Sequence, residues 1–291
     1  MITPPMVIAA LFLLIPYLAM AFFGSRITAA IAQLPLLVRI TAPTIFCIPY
    51  ALVAGSAGVF HWYWLAIYAL LPVAIAAILY QAHRIDLLNR GSWLDFLILI
   101  LLGLAVDLRW FEPAWPAHLA VFNKILLLDA GIYGFQFIRK LDGVGFDLRL
   151  RIRDLGFGLR EFLFYTPVAI VLGLSIGFLH FHPLWSSPVQ WGGAFLFTFF
   201  FIAVPEEIFF RGWLQNLLEK RMGRHSALIL TAVLFGLSHW NKRTANFNWQ
   251  YVLLAAIAGL FYGRAWRRER RVGASATTHA TVDTVWSIWF R

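Results

Sequence analysis

Apolar stretches recur along the whole chain, separated by short polar breaks. They run over Ile2–Phe23, Thr41–Phe60, Trp62–Tyr80, Trp93–Val106, Leu119–Ile138, Phe162–Phe181, Trp191–Leu218, Ser226–Trp240, Trp249–Gly263 and Ala274–Phe290. A helix needs about 20 residues to cross the hydrocarbon of a bilayer. Several runs are shorter, which suits one or two re-entrant or half-buried segments, so the pattern predicts about eight true crossings. Lipid offers the backbone no hydrogen-bond partner, so a spanning segment is a helix or part of a closed barrel. The strict alternation of a barrel strand is absent. The expected fold is therefore all-α, a polytopic membrane helical bundle. The first run has no basic region ahead of it and no small-residue cleavage site, which reads as a retained helix and not a signal peptide.

Composition agrees. Of 291 residues, 61% are hydrophobic and 13% charged. A soluble domain carries about 25% charged residues, so this chain has too few charges to cover a water-facing globule. That excludes a soluble enzyme, a disordered protein and a nucleic-acid-binding domain. The 27 Phe, 13 Trp and 9 Tyr suit bilayer cores and interfacial belts. Cys47 is the single cysteine and cannot form an internal disulfide.

The net charge of +10 sits between the apolar runs and so speaks to topology. If the sides alternate across all ten runs, one side holds Arg26, Arg39, Arg84, Arg90, Arg139, Lys140, Arg149, Arg151, Arg153, Arg160, Lys220, Arg221, Arg224, Arg264, Arg267, Arg268, Arg270 and Arg271. The loops of the other side hold Arg109, Lys242 and Arg243. Positive loops stay in the cytoplasm, which places 139–160 and 264–271 inside; the expected location is a bacterial cell membrane. The clearest internal boundary is the 139–160 stretch. There Arg alternates with apolar residues through Leu148-Arg149-Leu150-Arg151-Ile152-Arg153, beside Asp142, Asp147 and Asp154. It reads as a basic cytoplasmic linker or interfacial helix on anionic lipid. The linker separates membrane helices of unassigned role (residues 1–138) from a membrane domain (161–291).

Ionisable residues inside membrane spans are costly, so each is a candidate site. Asp95, Lys124 and Asp129 in the first half read as structural or interfacial. The second half is different. Val204-Pro205-Glu206-Glu207-Ile208-Phe209-Phe210-Arg211-Gly212 puts two carboxylates and a guanidinium into a strongly apolar helix. Glu207 and Arg211 are four apart and share a face, so their pairing leaves Glu206 without a local cation. A carboxylate in such a site suits a general base. Next comes Phe235-Gly236-Leu237-Ser238-His239. Gly223 marks a turn equidistant from 207 and 239, so an antiparallel helix pair brings His239 level with the glutamates. Ser238 and His239 are adjacent and expected to diverge, giving no nucleophile–base dyad. The third cluster is His279-Ala280-Thr281-Val282-Asp283, where His279 and Asp283 are four apart and Asp283 can orient the imidazole.

Glu-Glu-x-x-x-Arg, Phe-x-x-x-His and His-x-x-x-Asp, in that order on successive hydrophobic helices, resemble the CAAX protease and bacteriocin-processing family. These intramembrane proteases include the type II CAAX prenyl endopeptidases. The resemblance covers roughly Phe162 to Arg291. It implies that Glu206, with Glu207 beside it, and His239 activate a water for attack on a peptide carbonyl. Arg211 would hold the carboxylate pair. His279 would stabilise the oxyanion, with the residue four later. Eukaryotic members typically carry Asn at that last position. Here Asp283 stands there, which moves the donor role to His279 and leaves Asp283 to orient it. Which of Glu206 and Glu207 is the base stays open.

The resemblance implies an enzyme without a required cofactor, acting on a membrane-tethered peptide or protein. Were a divalent metal bound, Glu206, His239 and His279 would be its ligands, although the helical His-Glu-x-x-His pair of many zinc peptidases is absent. Two other readings use the same residues. One is a non-catalytic immunity or scaffold member of the family. The other is a proton-coupled transporter, against which the chain shows no inverted repeat.

Overall fold

The computed structural model describes residues 3–184, 187–242 and 246–290; Ile2, Arg243 and Arg291, cited above, lie outside them. Each of the ten apolar runs forms a helix. They are α1 (Pro4–Ala32), α2 (Leu36–Ser56, with a 3-10 stretch at its centre), α3 (Trp62–Ile85), α4 (Trp93–Asp107), α5 (Ala117–Ile138), α6 (Ile152–Ser175), α7 (Pro188–Met222), α8 (Arg224–Leu237), α9 (Trp249–Glu269) and α10 (Val272–Trp289). Among the described residues, α1, α2, α3, α5, α6 and α7 are long and apolar enough to cross a membrane. The chain is a multi-pass helical membrane protein. Reaching the expected eight crossings takes two of the four shorter or more polar helices α4, α8, α9 and α10.

The chain divides into two compact units, Met1–Asp142 and Gly143–Arg291. In the first unit, Tyr68 ties α3 to the segment before α5. Trp115 donates to its hydroxyl at 2.7 Å, and that hydroxyl donates to Asn123 at 3.0 Å. Asp95 is structural, as expected. It forms a capping box with Ser92 at the start of α4 and accepts from Arg139 at 2.7 Å. Arg139 also donates to Asp86 at 2.5 Å. Lys124 is exposed on α5 while Asp129 is buried, so the two do not share a face.

The 139–160 stretch is not one linker. Arg139 is fully buried in the first unit. A short irregular segment follows, with Lys140, Gly143 and Gly145 at positive φ, and from Ile152 the chain is already helix α6. The basic alternation at 148–153 does not mark one packed side: Leu148 is buried, but Leu150 and Ile152 are exposed like Arg149, Arg151 and Arg153. Arg271 fixes this segment in the second unit, donating to Asp154 at 2.9 Å, to Asp147 at 3.2 Å and to the carbonyl of Arg149 at 2.9 Å. Gly145 makes the crossing possible. Its φ is +74°, and a Cβ there would lie 1.9 Å from the Arg270 carbonyl oxygen.

The expected 264–271 loop is likewise shorter than the sequence suggested. Arg264 to Glu269 are the last turns of α9, and Arg270, at φ 50°, reverses the chain directly into α10. These basic turns meet acids from other helices of the unit. Arg267 and Arg270 reach Glu219 at 3.3 and 2.7 Å, and Arg264 reaches Glu161 at 3.1 Å. The polar end of α7 is thereby covered by protein: Gln215, Asn216 and Glu219 are buried. The turn expected at Gly223 is present at φ +81°, and α8 begins immediately after it.

Candidate active site

Helix α7 is irregular where its charges lie. Wide π turns occupy Phe199–Ala203 and Ile208–Gln215, on either side of Val204–Glu207. Pro205 lacks an N–H, and its ring would clash with the carbonyl four residues earlier. Inserting one residue into the turn relieves that clash, and such insertions are frequent at functional sites. The result separates the two neighbouring carboxylates. Glu207 is fully buried, whereas 38% of the Glu206 side chain is exposed.

Glu207 is the centre of the network. One of its oxygens accepts from Arg211 at 3.0 Å and lies 2.9 Å from Nδ1 of His279. Arg211, also fully buried, sends its second terminal nitrogen to the Gly259 carbonyl of α9 at 3.0 Å. Its guanidinium sits 4.6 Å from the centroid of Phe235, over the ring face, a placement that the ring quadrupole favours. Arg211 therefore holds Glu207 and a backbone oxygen, and not both carboxylates as the resemblance implied.

His279 lies in α10, packed flat on Tyr262 with centroids 4.6 Å apart and planes 17° from parallel. Its Nε2 faces Asp283 at 3.5 Å and Glu206 at 3.9 Å. The His279–Asp283 pairing expected from their spacing is present. The ring's shorter contact is with Glu207, on the opposite nitrogen, so Glu207 shares the orienting role assigned to Asp283.

His239 follows the end of α8. Its Nδ1 lies 2.9 Å from the Phe235 carbonyl oxygen, so Nδ1 carries the proton and Nε2 presents a lone pair. Ser238 does not diverge as expected: its Oγ donates to the same carbonyl at 2.8 Å and lies 3.2 Å from Nδ1. The last turn of a helix leaves carbonyls unpaired, and both side chains turn back to one. With Nδ1 committed to that carbonyl, the pair is still no nucleophile–base dyad. Phe235 joins the two histidines, its ring centroid 5.0 Å from that of His239 and 5.6 Å from that of His279.

A cavity of about 90 Å³ opens beside them. His239, His279 and Asp283 form its polar side, and Tyr165, Phe178, Leu254, Val282 and Trp286 contribute to its apolar walls. It has room for a few water molecules against polar partners. Tyr262, the Gly259 carbonyl and Tyr251, whose ring lies 4.7 Å from that of His239, were not foreseen. They stand on an apolar run without charge, and nothing in their local pattern marks them.

The alternative metal set of Glu206, His239 and His279 does not assemble. Among the described residues no three His, Cys, Asp or Glu side chains gather as a metal cage. Nδ1 of His279 faces Glu207 and Nδ1 of His239 faces a carbonyl, contacts that a metal-ligating imidazole also makes; it is the placement of the three side chains that leaves no cage.

Fold and site together define a multi-pass membrane protein with an acid–imidazole cluster inside a helical unit. Residues 188–285 match the family described as Type II CAAX prenyl endopeptidase Rce1-like. The match runs from α7 into α10 and includes all six residues singled out from the three motifs. The resemblance read from those motifs is thus supported over this stretch, about a third of the chain. No curated protein and no solved structure matches the chain.

Proposed function

We propose that the protein is an intramembrane endopeptidase. It hydrolyses a peptide bond in a membrane-associated substrate with a water activated by Glu206 and His239. The observation that carries this reading is the division of labour between the two glutamates. Glu207 is spent inside the fold on Arg211 and His279, whereas Glu206 stays partly exposed. In this reading Glu206 is the base, which the exposure of its side chain supports.

In this reading water sits between Glu206 and Nε2 of His239. Glu206 takes a proton as the water oxygen attacks the carbonyl carbon. The tetrahedral oxyanion forms on the Nε2 side of His279. As an imidazolium, His279 donates Nδ1–H to Glu207 and Nε2–H toward the developing charge, and Asp283 keeps the ring from turning. The C–N bond then breaks, and the proton held by Glu206 passes to the leaving amine. Only donors already aimed at the reacting oxygen lower the barrier, and the Glu207–His279 contact supplies that aim. The substrate is a membrane-tethered peptide or protein, and the expected site of action is a bacterial cell membrane.

The test works without an identified substrate. Peptide termini are mapped across the membrane proteome of cells expressing the wild-type chain or Glu206→Ala. New termini that depend on Glu206 support the reading; identical termini in both overturn it. Partner binding or protection that survives Glu206→Gln would point to a non-catalytic role, and pH-driven flux in liposomes to transport.

A further inference from the structure

The first unit contains a second built cavity with its own chemistry. It has a volume of about 370 Å³ and is lined by Leu36, Arg39, Tyr80, His83, Arg84, Leu87, Ile138 and Lys140. Among the described residues no carboxylate lines it. The nearby acids are committed elsewhere: Asp86 and Asp95 are held by Arg139, and Asp142 accepts from Asn89 at 3.0 Å. Three cations and an imidazole thus face one space without a neutralising partner. Arg39 is only partly exposed, so its charge at the cavity is less screened by water than the charges of Arg84 and Lys140.

The three cations come from three separate segments: Arg39 from α2, Arg84 from α3, and Lys140 from beyond α5. All three belong to the loops that the alternation of sides placed on the cytoplasmic face. The rim names the source of the anion. Leu37, Val38, Ile85, Leu87 and Leu88 are all exposed apolar side chains around these cations, and such a rim suits acyl chains better than water. A free phosphate would gain nothing from it.

We propose that this cavity binds the phosphate of an anionic phospholipid. The headgroup is gripped by Arg39, Arg84 and Lys140, and the acyl chains lie over the leucine rim. Basic pockets between membrane helices on the cytoplasmic side recognise such headgroups, and the volume lies within the range of ligand sites. The site is independent of the catalytic reading, since none of its residues belongs to the second unit.

Native mass spectrometry of the full chain in micelles holding equal phosphatidylglycerol and phosphatidylcholine tests this. Wild type should retain phosphatidylglycerol preferentially. Arg39→Gln/Arg84→Gln should weaken that retention by about fivefold for each charge lost. The double change Arg26→Gln/Arg90→Gln, at exposed positions outside the cavity, should leave it unchanged. Should Arg39→Gln/Arg84→Gln not fold, Lys140→Gln, at an exposed position, should show a single-charge loss. No preference in wild type, or equal losses in both double variants, would overturn the proposal. Displacement of the lipid by inorganic phosphate alone would assign the cavity to a free anion and overturn the lipid claim.

Discussion

The carboxylate of Glu207 and the imidazole of His279 are 72 residues apart in sequence and 2.9 Å apart in space. That contact binds α7 to α10, and Arg211 completes it on the other side of the same oxygen. A buried ion pair is weak evidence for stability in itself, because desolvation offsets much of the attraction. Its consequence is geometric: it fixes where Nε2 of His279 points.

The same physics makes the pair sensitive to losing one member. Arg211→Met removes the guanidinium bonded to Glu207 and to the Gly259 carbonyl, and leaves the buried carboxylate with the His279 imidazolium as its one remaining partner among the described residues. The expected cost is about 3–5 kcal/mol, read as a drop in melting temperature in detergent. Glu207→Gln/Arg211→Met should recover most of that loss, because a neutral amide can still accept from His279. A double variant as unstable as the single one would show that Arg211 acts through its ring contacts and not through Glu207.

His239→Ala should separate chemistry from folding. His239 lies beyond the end of α8, only partly buried, and its polar bond is to a helix-end carbonyl that water could satisfy. The protein should insert and melt like wild type, while formation of Glu206-dependent termini falls by roughly 10²–10⁴-fold, the usual worth of a positioned acid–base group. A proportionate loss of stability would make His239 a structural residue.

The sequence exposed the membrane fold because lipid imposes one rule on every spanning segment, and all ten apolar runs became helices. Glu206, Glu207, Arg211, His239, His279 and Asp283 were legible for the same reason: charge inside an apolar run is costly and stands out. Who pairs with whom was less legible. The i,i+4 spacing correctly gave Glu207–Arg211 and His279–Asp283, because both pairs sit on one helix. The Glu207–His279 bond joins two helices and has no local signal. The Gly259 carbonyl is a backbone group that no residue type announces. Arg139 looked like a linker charge because its partners, Asp86 and Asp95, lie some 50 residues earlier. A burial that depends on distant partners leaves no mark in the neighbouring sequence.

Two glycines of α6 offer a matched test of how α10 is seated. A Cβ at Gly158 would lie 2.6 Å from Cβ of Thr277 and 2.8 Å from the Ala274 oxygen, whereas a Cβ at Gly156 would meet nothing within 4 Å. Thr278 also donates to the Gly158 carbonyl at 3.0 Å, next to His279. Alanine favours a helix over glycine by about 1 kcal/mol, so Gly156→Ala should raise the melting temperature slightly. Gly158→Ala should lower it, since overpacking costs about 1–3 kcal/mol, and should reduce activity by displacing His279. Equal effects at both positions would mean that α6 and α10 do not approach as closely as described.

The Arg271 cluster gives the protein an acid limit. Burial pushes the Asp147 carboxyl upward, but hydrogen bonds from Arg149 and Arg271 outweigh it and hold the group at about 2, below its ordinary 3.8. A carboxylate whose folded pKa lies below its unfolded value adds stability above the unfolded pKa and loses it as pH falls through the folded one. The contribution of Asp147 should thus be complete above about pH 4 and fade between about pH 4 and pH 2. Melting temperature followed over that range should fall more steeply for wild type than for Asp147→Asn, which has no proton to take up. The two should differ most near neutrality and converge at the acid end. Parallel curves would mean that Arg271 is held by Asp154 and the backbone carbonyls alone, and that Asp147 adds nothing to the seating of the 143–151 segment on α10.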